Sequence, residues 1–246
     1  MAHTTVQPGA APAPKSLAAR LIGVITAPTE TFRAVVAHPR VFGVLAITAI
    51  GIAVLATVPM MTEAGKDAAL EQQIKQTEAW TGQPVTDEQY EGMRRMSGIT
   101  PYFSLVGALI MVPLMSLVTA GILFAIFNAA MGGTATFKQL FSVVVHAGVI
   151  SLLAQAFAAP INLMRGSVGS VANLGALVAF MEENSFLARF LGTIDVFMVW
   201  YVAVLAIGLA VLYRRRTQPI AVTLFAIYGI IAVGYALFVS LRGGGN

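Results

Sequence analysis

Side chains able to move a proton or hold a metal are scarce in this chain: three histidines, eleven carboxylates and no cysteine. One of them, His146, stands inside an apolar run, LFSVVVHAGVI. An ionisable group in such a setting is a candidate proton relay or pH sensor. The competing reading is a neutral imidazole bonded to a backbone carbonyl or to a hydroxyl on a neighbouring helix. Proton coupling usually needs a carboxylate at similar depth, and none is there, which favours the second reading. The other candidate is Asp195, at the mouth of GTIDVFMVWYVAVLAIGLAVLYRRR. With Thr193 as the cap, Asp195 falls in the first turn of a helix, facing unpaired backbone N–H groups and the positive end of the dipole. The alternative pairs Asp195 with Arg165 or Arg189 in a polar site for a partner. His146 and Asp195 are not expected to meet. At 1.5 Å of rise per residue His146 lies about 9–10 Å above the inner end of its segment, whereas Asp195 opens the outer end of the next one.

Other chemistry is not in evidence. His3, His38 and His146 belong to different layers, so they assemble no zinc site. Without cysteine there are no disulfides, thiolate metal sites or thiol nucleophiles. GGTATFK lacks the spacing of a phosphate loop, and no nucleophile motif is present. The chain is therefore expected to be non-enzymatic, with no cofactor and no metal.

The elements that position these residues follow from composition. The chain is 57% hydrophobic and 11% charged, with mean hydropathy +0.80; a soluble domain carries about 25% charged residues. So much apolar surface cannot be hidden in one globule of 246 residues, and a bilayer is its natural solvent. The expectation is an all-α integral membrane protein, a five-helix transmembrane bundle with spans at about residues 41–61, 102–131, 140–164, 194–213 and 219–241. Each is long enough to cross a hydrocarbon core of about 30 Å. Residues 1–15 read as a disordered Pro/Ala/Gly-rich tail, 16–242 as a single membrane domain and 243–246 as a second tail. Between the first tail and the first span, Leu17, Leu21, Ile22 and Ile25 share a helical face, and after Pro28 so do Phe32, Val35 and Val36. Two short amphipathic helices are expected, lying in the membrane interface or packed on the bundle. Residues 62–100 form a helical outer loop, with GQP as a break and Thr86–Gln89 as a capping box. Thr136 with Gln139 is a second capping box. Pro113 should kink the second span. A short apolar helix is expected at 174–180. Ala49/Ala53, Ala206/Ala210 and Ala232/Ala236 are small pairs that permit close helix approach.

Net charge is +4 with pI about 9.6. In this setting the basic residues hold helix ends on the cytoplasmic side and do not imply nucleic acid. Lys138 and the dense Arg214–Arg215–Arg216 turn place the N-terminus inside and, after five spans, the C-terminus outside the cytoplasmic membrane.

Several stretches in register resemble the Yip family, the Ypt/Rab-interacting-protein-like five-span membrane proteins. LIGVITAPTETFRAVVAHP resembles the family's opening, and MGGTATFKQLFSVVVHA its Gly-Gly turn into the third span. GTIDVFMVWYVAVLAIGLAV resembles its Asp-x-Phe-x-x-Trp segment, carried here by Asp195, Phe197 and Trp200 and ending in a run that contains Gly208. TDEQYEGMRRM resembles an outer helix of the prokaryotic branch. The resemblance implies an N-inside five-span bundle that organises or escorts membrane components. Its expected partners are the lipid bilayer and other membrane proteins or a second copy of the chain. Small GTPases, bound by eukaryotic relatives, are not expected, because the inner tail is short and the outer loop long and acidic. The rival reading is a small transporter or channel subunit with a polar path near His146, formed with Asn128, Gln155 and the kink at Pro113.

Overall fold

The computed structural model describes residues 13–175 and 186–243. The tail up to residue 12, most of the helix expected at 174–180, the Arg189 side chain and the last three residues lie outside the described residues. The described chain is helical apart from its connections, and five helices are long and apolar enough to cross a membrane: Phe42–Met61, Thr100–Ala130, Phe137–Arg165, Val196–Tyr213 and Thr217–Phe238.

The first two helices, α1 (Leu17–Thr26) and α2 (Pro28–Ala37), start where the sequence supplies caps. Ser16 accepts from the Ala19 N–H, and Pro28 occupies the first turn of α2, where its missing N–H is not needed. Their apolar faces pack on the bundle: Val24, Phe32 and Val35 are fully buried. These helices dock against the spans, while Ile22, expected on the same apolar face, is exposed. The first span follows as α3 (Phe42–Thr57) with a tight turn at Val58–Met61.

At the opposite end, α4 (Glu63–Thr81) begins at Thr62, whose hydroxyl donates to the Pro59 carbonyl and accepts from the Gly65 N–H, both at 3.0 Å. The Thr86 capping box opens α5 (Asp87–Met96). The second span, α6 (Thr100–Phe124), runs into a π-turn over Ala125–Ala130. After the turn and the Thr136–Gln139 capping box comes the third span. It is split at Gly148 into α7 (Phe137–Ala147) and α8 (Val149–Arg165). A short α9 (Phe186–Gly192) precedes α10 (Val196–Tyr213) and α11 (Thr217–Gly243).

In a bilayer, burying one apolar helix against another removes little surface from water, so association rests on close packing and on interhelical hydrogen bonds. Both devices are present. All six alanines of the three small pairs are buried. Gly208 of α10 lies against α7 and α2, where an added Cβ would sit 2.6 Å from Val143 Cγ1 and 3.0 Å from Phe32 Cε1. The core is built around Phe32, Leu140, Val143, Ile150, Leu205 and Leu209, with α7 and α10 at its centre. Helices α6 and α11 are peripheral, and their outward faces are long apolar surfaces.

Candidate functional sites at the two ends of the bundle

At the end that carries α1 and α2, His146 is fully buried and both its ring nitrogens are occupied. Nδ1 lies 2.7 Å from the Ser142 carbonyl oxygen, and Nε2 lies 3.4 Å from Nη1 of Arg20. A carbonyl only accepts and a guanidinium only donates. Both contacts are therefore made by one species, the neutral imidazole with its proton on Nδ1. The hydrogen bond to a backbone carbonyl is as the sequence indicates; the arginine is not. Arg20 comes from α1, outside the spans. Its Nη1 also donates to the Arg40 carbonyl at 2.8 Å, while its Nε is buried without a partner. Burial, and then the neighbouring Arg40 charge, lower the Arg20 pKa from its ordinary value. The signal was available: Arg20 shares the helical face of Leu17, Gly23 and Val24, which is the buried face of α1.

Further bonds close the same end. Gln139 Nε2 donates to the Val36 carbonyl at 3.2 Å, joining α7 to α2. Asn128, on the π-turn, donates to the Ala135 carbonyl at 2.6 Å and accepts from the Tyr213 hydroxyl at 2.7 Å. The Phe127 and Tyr213 rings stack with centroids 5.0 Å apart. The glycine pair in MGGTATFK has a specific cause. Gly132 takes φ +67°, and a Cβ on Gly133 would meet the Tyr213 ring and the Phe127 carbonyl at 2.5 and 2.6 Å. These residues read as a structural stitch.

At the other end Asp195, not Thr193, is the cap of α10. Its Oδ1 accepts from the N–H groups of Phe197 at 2.7 Å and Met198 at 3.2 Å. The Thr193 hydroxyl instead donates to the Phe190 carbonyl at 2.7 Å. Thr193 was expected to cap because it precedes the apolar run; the extended backbone at Asp195 moves the helix start two residues on. The second carboxylate oxygen accepts from the Ser170 hydroxyl. Around it the backbone pairs with residues 172–174: Leu174 N–H donates to Ile194, and Val196 N–H to Ala172. Asp195 thus ties α10 to the loop after α8 through a serine. Arg165 is exposed and forms no ion pair with it among the described residues. Phe197 packs against Phe157 of α8, centroids 5.6 Å apart, and stacks on Trp200, which faces outward.

Three cavities lie on this side. The largest, about 920 Å³, sits beneath α4 and α5 and is lined by Met60, Gln72, Gln76, Met93, Gln155 and Asn162 among others. A second, about 330 Å³, is bordered by Ser170, Asp195, Phe197 and Met198. A third, about 270 Å³, lies between α6, α7 and α10, with Thr48, Val112, Ser116, Gly148 and Tyr201 in its wall. Gln155 is therefore a cavity residue, but His146 borders none of the three. Among the described residues no group of three His, Cys, Asp or Glu side chains is placed to hold a metal.

No solved structure matches this chain. It is 25% identical over 227 residues to a protein of Bacillus subtilis (strain 168) named "Membrane protein YknW", with 90% of each chain covered. Residues 22–241 match the Yip1 domain, a span that takes in α2, all five candidate spans, the Asp195–Phe197–Trp200 segment and the stitched Gly-Gly turn. The chain belongs to the Yip1 domain family of membrane proteins.

Proposed function

We propose that this protein is a non-enzymatic component of the cytoplasmic membrane that organises or escorts other membrane proteins, with its N-terminus inside and the α4–α5 arm outside. The observation that carries this reading is the build of the arm. Helix α4, 19 residues and so about 28 Å long, lies across the end of the bundle. Its start is tied to Pro59, and near its far end Trp80 meets Phe238 of α11 at a centroid distance of 5.4 Å. On this crossbar α5 buries no residue, and Tyr90 and Arg94 are exposed. One face of this short helix, with Gln89, Met93 and Met96, lines the cavity beneath it, and the other, with Tyr90, Glu91 and Arg94, is turned outward; a helix so held suits contact with another protein.

The transporter reading required a polar path at His146. The stitched end and the complete set of partners on that ring support the organising role instead. The test is photocrosslinking in intact cells from single positions Tyr90 and Arg94, with Arg216 as a control at the opposite end. The reading expects one discrete membrane protein captured from both α5 positions, and expects Tyr90→Ala with Arg94→Ala to reduce its co-purification in mild detergent about ten-fold. Capture that is diffuse, or equal from Arg216, would refute it.

A further inference from the structure

The three cavities are parts of one groove. The first and second share Gln155 and Gly169 in their walls; the second and third share Ser151 and Met198. Among the third-span positions in these walls, Gly148, Ser151, Gln155 and Asn162 are spaced by 3, 4 and 7 residues, which is one face of a helix. That face leads from the space beneath α4 and α5 down to the break at Gly148, well inside the spanning segments. The lower part is open on the surface of the spanning helices, since Met115, Ser151 and Met198 are exposed there.

The chemistry of the lining changes along this route. The upper cavity carries six side-chain amides, Gln72, Gln73, Gln76, Gln89, Gln155 and Asn162, and no charged residue. Gln89 and Asn162 are occupied by their own turns. Gln72, Gln73 and Gln76 are exposed and Gln155 is half-buried, and their side chains have no hydrogen-bond partner within the protein among the described residues. Each amide offers both donors and an acceptor, the complement of a hydroxyl. The lower cavity has no side-chain amide; Ile52, Val112, Met115, Val144, Val145 and Met198 alternate there with the hydroxyl residues Thr48, Ser116, Thr119, Ser151 and Tyr201. Between the two stands Asp195, the single charged side chain bordering any of the three. Its negative charge at the throat disfavours an anionic head group.

We propose that this groove binds a membrane lipid with an uncharged, hydroxyl-rich head, a glycolipid, the head held by the free glutamines beneath the arm and an acyl chain lying between α6, α7 and α10. The upper cavity is within the size range of small-molecule sites. The site is independent of the partner protein proposed above: one requires the inner face of the arm and the other its outer face.

The experiment uses the full chain in nanodiscs containing either monoglucosyldiacylglycerol or phosphatidylglycerol, each with a diazirine in the acyl chain. The glycolipid should label Val112, Met115, Val144 and their neighbours, and phosphatidylglycerol should label these positions about ten-fold less. Gln76→Leu with Gln155→Leu should lower glycolipid labelling there about ten-fold, with labelling of the outward face of α11 unchanged as an internal standard. Asp195→Asn, which keeps a capping side chain, should narrow the difference between the two lipids. Ser151→Phe, which fills the throat, should remove groove labelling in a chain that still elutes as a folded species. Equal labelling by both lipids, or labelling indifferent to the glutamines and to Ser151→Phe, would overturn the proposal.

Discussion

Removing the His146 ring leaves the Arg20 guanidinium facing apolar side chains. With Nε already lacking a partner, Nη1 would keep only the Arg40 carbonyl. The desolvation of a buried cation then goes uncompensated, so His146→Leu should destabilise the protein by about 3 kcal/mol. That exceeds the ~1–2 kcal/mol expected of one lost interhelical hydrogen bond. Adding Arg20→Met should recover most of the loss, because the charge that needed the ring is gone. Thermal unfolding in detergent of the two single variants and the double variant reads this directly; additive losses would contradict the pairing. Asp195 makes a milder prediction. Asparagine caps helices nearly as well as aspartate, so Asp195→Asn should cost under about 1 kcal/mol, and Asp195→Ala about 1–2 kcal/mol. A loss near 3 kcal/mol in the Asn variant would indicate a buried ion pair that the described residues do not contain.

At the scale of elements, sequence was informative wherever one local signal suffices. Pro28, Thr86–Gln89 and Thr136–Gln139 each mark a helix start that is found where expected, because capping depends on neighbours within three or four residues. Asp195 was misplaced by one role for a non-local reason. Its extended backbone is held by pairing with residues 172–174, and no pattern near Thr193 announces that partner. The same limit hid Arg20: its position on the buried face of α1 was legible, but its contact with His146 spans 126 positions. The π-turn at Ala125–Ala130 also left no signal. Close approach of elements makes its own prediction. Alanine normally favours a helix over glycine by about 1 kcal/mol, yet Gly208→Ala should destabilise by about 1–3 kcal/mol, because its Cβ would overlap Val143 and Phe32. Adding Val143→Ala should relieve the clash. A stabilised Gly208→Ala variant would show that α10 does not seat on α7 and α2 as described.

The whole molecule is a bundle with two unlike ends. One is closed by Arg20, His146, Gln139 and Asn128. The other carries the crossbar α4, the outward α5 and the cavities along α8. Both proposed roles depend on which end faces out of the cell. An escorting arm must meet its partners on the outer side, and the groove must open toward the outer leaflet. The Arg214–Arg216 turn and Lys138 lie at the closed end, and on that ground we propose that this end faces the cytoplasm. The measurement is simple because the chain has no cysteine. Single substitutions Ser97→Cys, Ala135→Cys and Thr217→Cys are each treated with a membrane-impermeant thiol reagent in intact cells and again after permeabilisation. The account predicts that the cysteine at position 97 is labelled in intact cells, and that those at 135 and 217 are labelled only after permeabilisation. Labelling at 135 and 217, but not at 97, in intact cells would contradict it.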